Sequence, residues 1–168
     1  KAILVAIFIV VFRLGDGMVA KMAVPFLGDR GLGFSDTDIG NIHQGIGSIA
    51  TLVGTLAGGS LLSKLGINRS LWIFGGLQAM SNWAYYFLAL TGKNLSAMVL
   101  AINVENFCSG LVVAGFVGYL MSLCNPEFSA TQFALLSSLM AVGRDLIAGP
   151  VAGEIAAKFG VGTGGAGL

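Results

Sequence analysis

Charge is the scarcest property of this chain. Lys, Arg, Asp and Glu make up only 10% of its 168 residues, where ordinary soluble domains carry about 25%. Apolar side chains make up 55%, and the mean hydropathy is +0.86. A water-soluble domain of this size leaves roughly 30% of its unfolded surface exposed, and this sequence has too few polar groups to cover it. An ordinary soluble fold is therefore excluded, and lipid becomes the expected solvent. The net charge of +1 excludes the basic footprint of a nucleic-acid binder.

Cysteine and histidine are as rare as charge. Cys108 and Cys124 stand sixteen residues apart in one expected helix, roughly 24 Å along its axis and far beyond disulfide reach, so both read as small packing residues. His43 is the single histidine, with no second imidazole or thiolate nearby, and it reads as an interfacial polar contact rather than a metal ligand. The glycine-rich tail 162–167 lacks the GK[ST] ending of a phosphate-binding loop. No metal and no cofactor is expected. Lys1 stands where an initiator Met would, and no cleavable signal pattern follows it, so the chain reads as a piece of something longer.

What the chain does contain is long apolar segments and 26 glycines, a residue common in membrane helices whose backbones approach closely. The expected fold is all-α, a polytopic membrane helix bundle of about five spans over 2–27, 39–62, 71–91, 95–123 and 130–157, each near or above the about 20 residues that the hydrocarbon core demands. Ser35 followed by Asp38 is a capping pattern that starts the second span. In that span Gly47, Thr51, Gly54 and Gly58 recur at helical spacing, which predicts a close helix contact along that face. Gly110, Ala114, Gly118 and Ser122 form a matching small-residue ridge in the fourth span, with Glu105 and Asn106 one turn before it as an inward-facing polar pair.

Trp83, Tyr85 and Tyr86 read either as interfacial anchors or as ordinary packing in the third span. The turns are expected at 63–70, a short basic segment, at 92–94, and at Asn125, Pro126 and Glu127. Pro150 predicts a kink in the fifth span. Five spans place the chain ends on opposite sides of the membrane. Lys1, Lys64 and Arg69 then face Arg30, Lys93 and Lys158 across it, a tie under the positive-inside rule.

Inside these segments lie Arg13, Asp16, Lys21, Glu105, Arg144 and Asp145. Ionisable groups are costly in hydrocarbon and mark ion or substrate paths by default, so the residues themselves point to a transporter. Arg13 and Asp16 are three apart, close enough around a helix to pair, either as a structural ion pair or as a proton-coupling site. Glu105 is the sharpest single candidate, because desolvation penalises its charged form and suits it to take up a proton; the plainer alternative is a neutral carboxyl hydrogen-bonded to Asn106 or a neighbouring helix. Arg144 presents a planar fork suited to carboxylates, either of the substrate or of Asp145, Glu105 or Asp16. Gln78, Asn82, Asn106 and Gln132 offer the neutral donors and acceptors that sugar hydroxyls require, a role that interhelical hydrogen bonding explains equally well. Lys21 and Glu154 stand near helix ends, where snorkelling accounts for them.

The turn Gly59-Ser-Leu-Leu-Ser-Lys64-Leu-Gly66-Ile-Asn-Arg69 is similar to the basic signature between the second and third helices of each half of major facilitator superfamily transporters. Gly59, Lys64, Gly66 and Arg69 fit it, while Ser63 replaces the usual acidic residue. More specific strings are Leu14-Gly15-Asp16, Leu77-Gln78-Ala79-Met80-Ser81-Asn82, Val104-Glu105-Asn106, Leu120-Met121-Ser122-Leu123-Cys124-Asn125 and the run 130–139, continuing through Gly143-Arg144 and Gly149-Pro150. Together they resemble the C-terminal half of AmpG-type muropeptide permeases, roughly helices seven to eleven of that family.

The resemblance implies a major facilitator half-domain in a bacterial inner membrane, with the basic turn facing the cytoplasm. It also implies proton-driven import of anhydro-muropeptides for peptidoglycan recycling. The implied partners are membrane lipid, protons, the muropeptide and the absent N-terminal half. Three rivals remain at this point. A related carrier would move a sugar, peptide, acetyl-CoA or siderophore, and a membrane scaffold or sensor would move nothing. An intramembrane protease is the enzymatic rival, but Arg13 and Phe107 replace the first glycine of the GxGD and GxSG signatures, so no enzyme is expected.

Overall fold

The computed structural model describes residues 34–124 and 129–142, together with the single positions Gly17, Ala23, Leu27, Pro150 and Glu154. The chain divides into two compact units, Ser35–Leu123 and the combination of Lys1–Phe34 with Cys124–Leu168. The described helices of the first unit are α1 (Asp36–Gly40), a π-helical stretch (Asn41–Ile46), α2 (Gly47–Leu65), α3 (Ile67–Thr91) and α4 (Leu95–Leu123); the second unit contributes α5 (Ser129–Ala141). The expected span 2–27 lies almost wholly outside the described residues, as do most of 143–157 in the expected span 130–157 and the break at Asn125, Pro126 and Glu127.

Local chemistry explains where these helices start and stop. Ser35 is the N-cap of α1, its hydroxyl oxygen accepting from the Thr37 N–H at 3.3 Å. Asn94 caps α4, its Oδ1 accepting from the N–H groups of Ser96 at 3.1 Å and Ala97 at 3.3 Å. The α3–α4 turn closes on Gly92, at φ 71°, whose N–H donates to the Leu88 carbonyl at 3.1 Å.

The α2–α3 turn differs from expectation. Residues 63–70 are helical except for Gly66, which alone reverses the chain at φ 78° and ψ 161°, a region that only glycine enters cheaply. The polar residues Ser63, Lys64, Asn68 and Arg69 imitate a loop in sequence because helix ends at a membrane surface are themselves polar.

Among the described residues, two segments, Thr37–Leu65 and Leu95–Leu123, are long and apolar enough to cross a membrane. The helix α3 has 25 residues, enough for the same distance at the usual rise. Contacts set the topology of this unit. Gly54 meets Phe107, Gly58 meets Leu111 and Ala114, and Gly118 meets Leu62, so α2 and α4 run parallel. Gly115 meets Phe74 near the start of α3, while Ser81 and Tyr85, further along, meet Cys108 and Glu105, so α3 runs antiparallel to α4. The helix α4 is therefore central, flanked by α2 and α3, which scarcely touch each other.

Small residues make the α2–α4 seam possible. A Cβ placed on Gly54 would strike the Phe107 carbonyl oxygen, and one on Gly110 would strike the Thr51 carbonyl oxygen while lying 2.8 Å from Thr55 N. Backbone thus meets backbone at a distance that no larger residue permits. The outward faces are apolar: Leu56 is 74% exposed, Trp72 86% and Met80 72%, a surface suited to lipid rather than water.

Candidate functional site

The polar residues of α4 are distributed to two neighbours. Glu105 and Asn106 are adjacent and therefore about 100° apart around the axis. Both face inward, as expected, but towards different helices. Asn106 turns to α2, where its Oδ1 accepts from the Thr51 hydroxyl at 3.1 Å, while its Nδ2 donates to the Ile102 carbonyl at 2.8 Å. The Thr51 hydroxyl also lies 3.0 Å from the Gly47 carbonyl. Asn106 is thus engaged on both ends of its amide as an interhelical joint.

Glu105 turns to α3 instead. It is buried, at 8% exposure, and its carboxylate lies within electrostatic range of the Tyr85 phenol and the Cys108 thiol. Tyr85 is buried at 9% exposure; its hydroxyl approaches the Glu105 carboxylate without completing a well-aligned hydrogen bond. One turn away, Ser81 and Cys108 face each other in the same register, and the Ser81 hydroxyl donates to the Gln78 carbonyl at 2.8 Å. The result is a compact polar cluster of Ser81, Tyr85, Glu105 and Cys108 within an apolar interface.

For Tyr85 the structure decides between the two readings left open, anchor or packing, in favour of packing. It separates from its neighbours in the fold: Trp83 and Tyr86 are exposed at 67% and 62%, whereas Tyr85 is buried. The available signal was spacing. Ser70, Phe74, Gln78, Ser81, Tyr85 and Leu88 are the buried residues of α3, and steps of four and three mark one face of a helix. Trp83, Tyr86, Ala79 and Asn82 instead line an open recess of about 480 Å³.

The remaining candidates lie as follows. Gln78 is buried and Asn82 half-buried on α3. Gln132 is half-buried on α5, which belongs to the other unit. Gly59, Lys64, Gly66 and Arg69 are all exposed around the α2–α3 turn. Arg13, Asp16, Lys21, Arg144 and Asp145 lie outside the described residues. Cys108 is a buried free thiol, and Cys124 is half-buried. His43 is half-buried in the π-helical stretch.

Sequence similarity supplies the relatives. Over 153 residues, 91% of this chain and 31% of the relative, the chain is 46% identical to the anhydromuropeptide permease of Escherichia coli K12. The chain is homologous to part of an AmpG-type permease. It is also 38% identical over 137 residues to putative transporter AmpG 4 of Rickettsia felis, 82% of this chain and 33% of that protein. Putative transporter AmpG 1 of Rickettsia prowazekii matches at 32% over 158 residues, 94% of this chain and 35% of that protein. The chain thus spans about a third of the length of the curated AmpG-type relatives it matches. No family model matches. With its apolar spans and permease homologues, the chain is a helical membrane protein related to transporters.

Proposed function

We propose that the chain forms a C-terminal transmembrane part of a proton-driven permease that imports anhydro-muropeptides across a bacterial inner membrane. The observation that carries this reading is the 46% identity to the anhydromuropeptide permease of Escherichia coli K12 over 91% of the chain. The absent N-terminal part would complete the transporter, with membrane lipid around it.

In this reading Glu105 takes up a proton from the periplasmic side and releases it towards the cytoplasm. Its burial between α3 and α4 supports that role, because a dry site makes the charged state depend strongly on neighbouring groups and so on conformation. Asp16 is the second proton-coupling candidate. Arg13 and Arg144 hold the carboxylates of the peptide or muramyl moiety, and Gln78, Asn82 and Gln132 meet sugar hydroxyls, each by virtue of its donor chemistry. Asn106, also a candidate for sugar contact, is better accounted for as the joint to Thr51. Gly59, Lys64, Gly66 and Arg69 form the cytoplasmic turn.

The test is uptake of labelled disaccharide-peptide by cells expressing the full gene, with and without a protonophore. Uptake that the protonophore abolishes supports the reading. Absence of uptake, or uptake indifferent to the protonophore, overturns it.

A further inference from the structure

The Tyr85 hydroxyl is a buried donor that the transport reading has not used. Among the described residues, Ser81 and Tyr85 from α3 meet Cys108 and Glu105 from α4 in antiparallel register, and the phenol oxygen has no completed hydrogen bond. An ionised carboxylate only accepts hydrogen bonds, whereas a phenol has one proton to donate. In a dry interface the bond is charge-assisted, and so strongest, while the carboxylate is ionised; once it is protonated, its O–H becomes a competing donor and its remaining acceptor oxygen holds the phenol less tightly.

We propose that Tyr85 is a positioning residue for the Glu105 proton, donating to the ionised carboxylate in a charge-assisted bond that weakens when Glu105 is protonated. Tyr85 keeps its own proton throughout; the transported proton arrives on a Glu105 oxygen and leaves from it. The inference rests on the reading of Glu105 as a proton-coupling group. Protonation of Glu105 thereby changes the bond between α3 and α4, which links proton uptake to helix packing.

Glu105 has further interactions besides Tyr85, and the groups of the described elements around it are these. The face of α2 towards α4 offers Gly47, Thr51, Gly54 and Gly58, none of them titratable. On α3 the titratable group facing Glu105 is Tyr85, and on α4 itself it is Cys108. The π-helical stretch, which also packs on α4, carries His43.

The experiment is infrared titration of the intact transporter in lipid, with Glu105→Gln used to assign the carboxyl band. Loss of a donor to the charged form favours the protonated form, so Tyr85→Phe should move the midpoint of that band to higher pH by about one unit, a tenfold change in proton concentration. Ser81→Ala, one turn away, should leave the midpoint in place. An unmoved midpoint in Tyr85→Phe overturns the proposal.

A second measurement avoids any change at Tyr85. With ring-labelled tyrosine in the otherwise unmodified protein, one tyrosine signal should change in step with the Glu105 band and lose that change in Glu105→Gln. No coupled tyrosine signal overturns the proposal. Failure of proton-driven uptake would instead remove the permease reading, so the two ideas fall by different observations.

Discussion

Replacing Gly54 with alanine adds a single methyl group, and the structure gives that methyl nowhere to go. Its carbon would collide with the Phe107 carbonyl oxygen and lie 3.0 Å from the Phe107 carbonyl carbon and 3.2 Å from its Cα. These are backbone atoms of a central helix, so no side-chain rotation relieves the clash; α2 and α4 must separate. Overpacking of this kind costs about 1–3 kcal/mol, and the rigid obstacle places Gly54→Ala near the upper end. Helix propensity returns about 1 kcal/mol for glycine to alanine, leaving a net loss of about 2 kcal/mol.

Gly59, five residues on, is the internal control. A Cβ there meets nothing within 4 Å, so Gly59→Ala keeps the propensity gain alone. The two variants should therefore differ by about 3 kcal/mol when the intact protein is unfolded by denaturant in detergent micelles. Equal stability of Gly54→Ala and Gly59→Ala would refute the backbone-to-backbone seam. Gly54→Leu and Gly58→Leu, which add far more volume to the same seam, should lose more than Gly54→Ala.

Three further outcomes follow from the same contacts. Thr51→Val removes the hydroxyl bonded to Asn106 while keeping side-chain shape; it should cost about 0.6 kcal/mol and not more than about 1.7 in the same unfolding assay, and a stability gain would contradict the joint. Gly66→Ala forces a side chain into a backbone region reserved for glycine and should cost about 1–3 kcal/mol, whereas Gly76→Ala, mid-helix and in open space, should, like Gly59→Ala, gain about 1 kcal/mol. In the full-length transporter, Arg144→Ala should abolish uptake of anhydro-muropeptide into vesicles, and wild-type uptake would remove Arg144 from the proposed mechanism.

The sequence disclosed the features that depend on neighbours along the chain and concealed those that depend on neighbours across it. Ser35 is visible as a cap because a hydroxyl before the first helical turn satisfies a backbone N–H whatever the tertiary fold. The small residues of the second and fourth apolar segments announce close contact, since glycine at every turn serves little else in a membrane helix. Which ridge meets which, and in parallel rather than antiparallel register, emerges only from the packed helices.

The same limit explains Glu105 and Asn106. Their adjacency suggested one polar pair, yet a step of about 100° per residue sends one to α3 and the other to α2. Gly66 shows the opposite error: polar residues around it resembled an eight-residue turn, but a single glycine at positive φ completes it. Tyr85 was left between anchor and packing alongside its aromatic neighbours, although its place in the stripe of Phe74, Gln78 and Ser81 separates it from Trp83 and Tyr86. For Arg13, Asp16 and Arg144 the sequence remains the source of the assignment, because they fall outside the described residues.

The claim at the centre of the account is that a carboxyl buried between two membrane helices carries the proton that drives import. The direct measurement is uptake of labelled anhydro-muropeptide by proteoliposomes holding the full-length transporter, under an imposed inward proton gradient, for the parent and for Glu105→Gln. The account predicts gradient-driven accumulation in the parent and none in Glu105→Gln. Equal accumulation in both would contradict it.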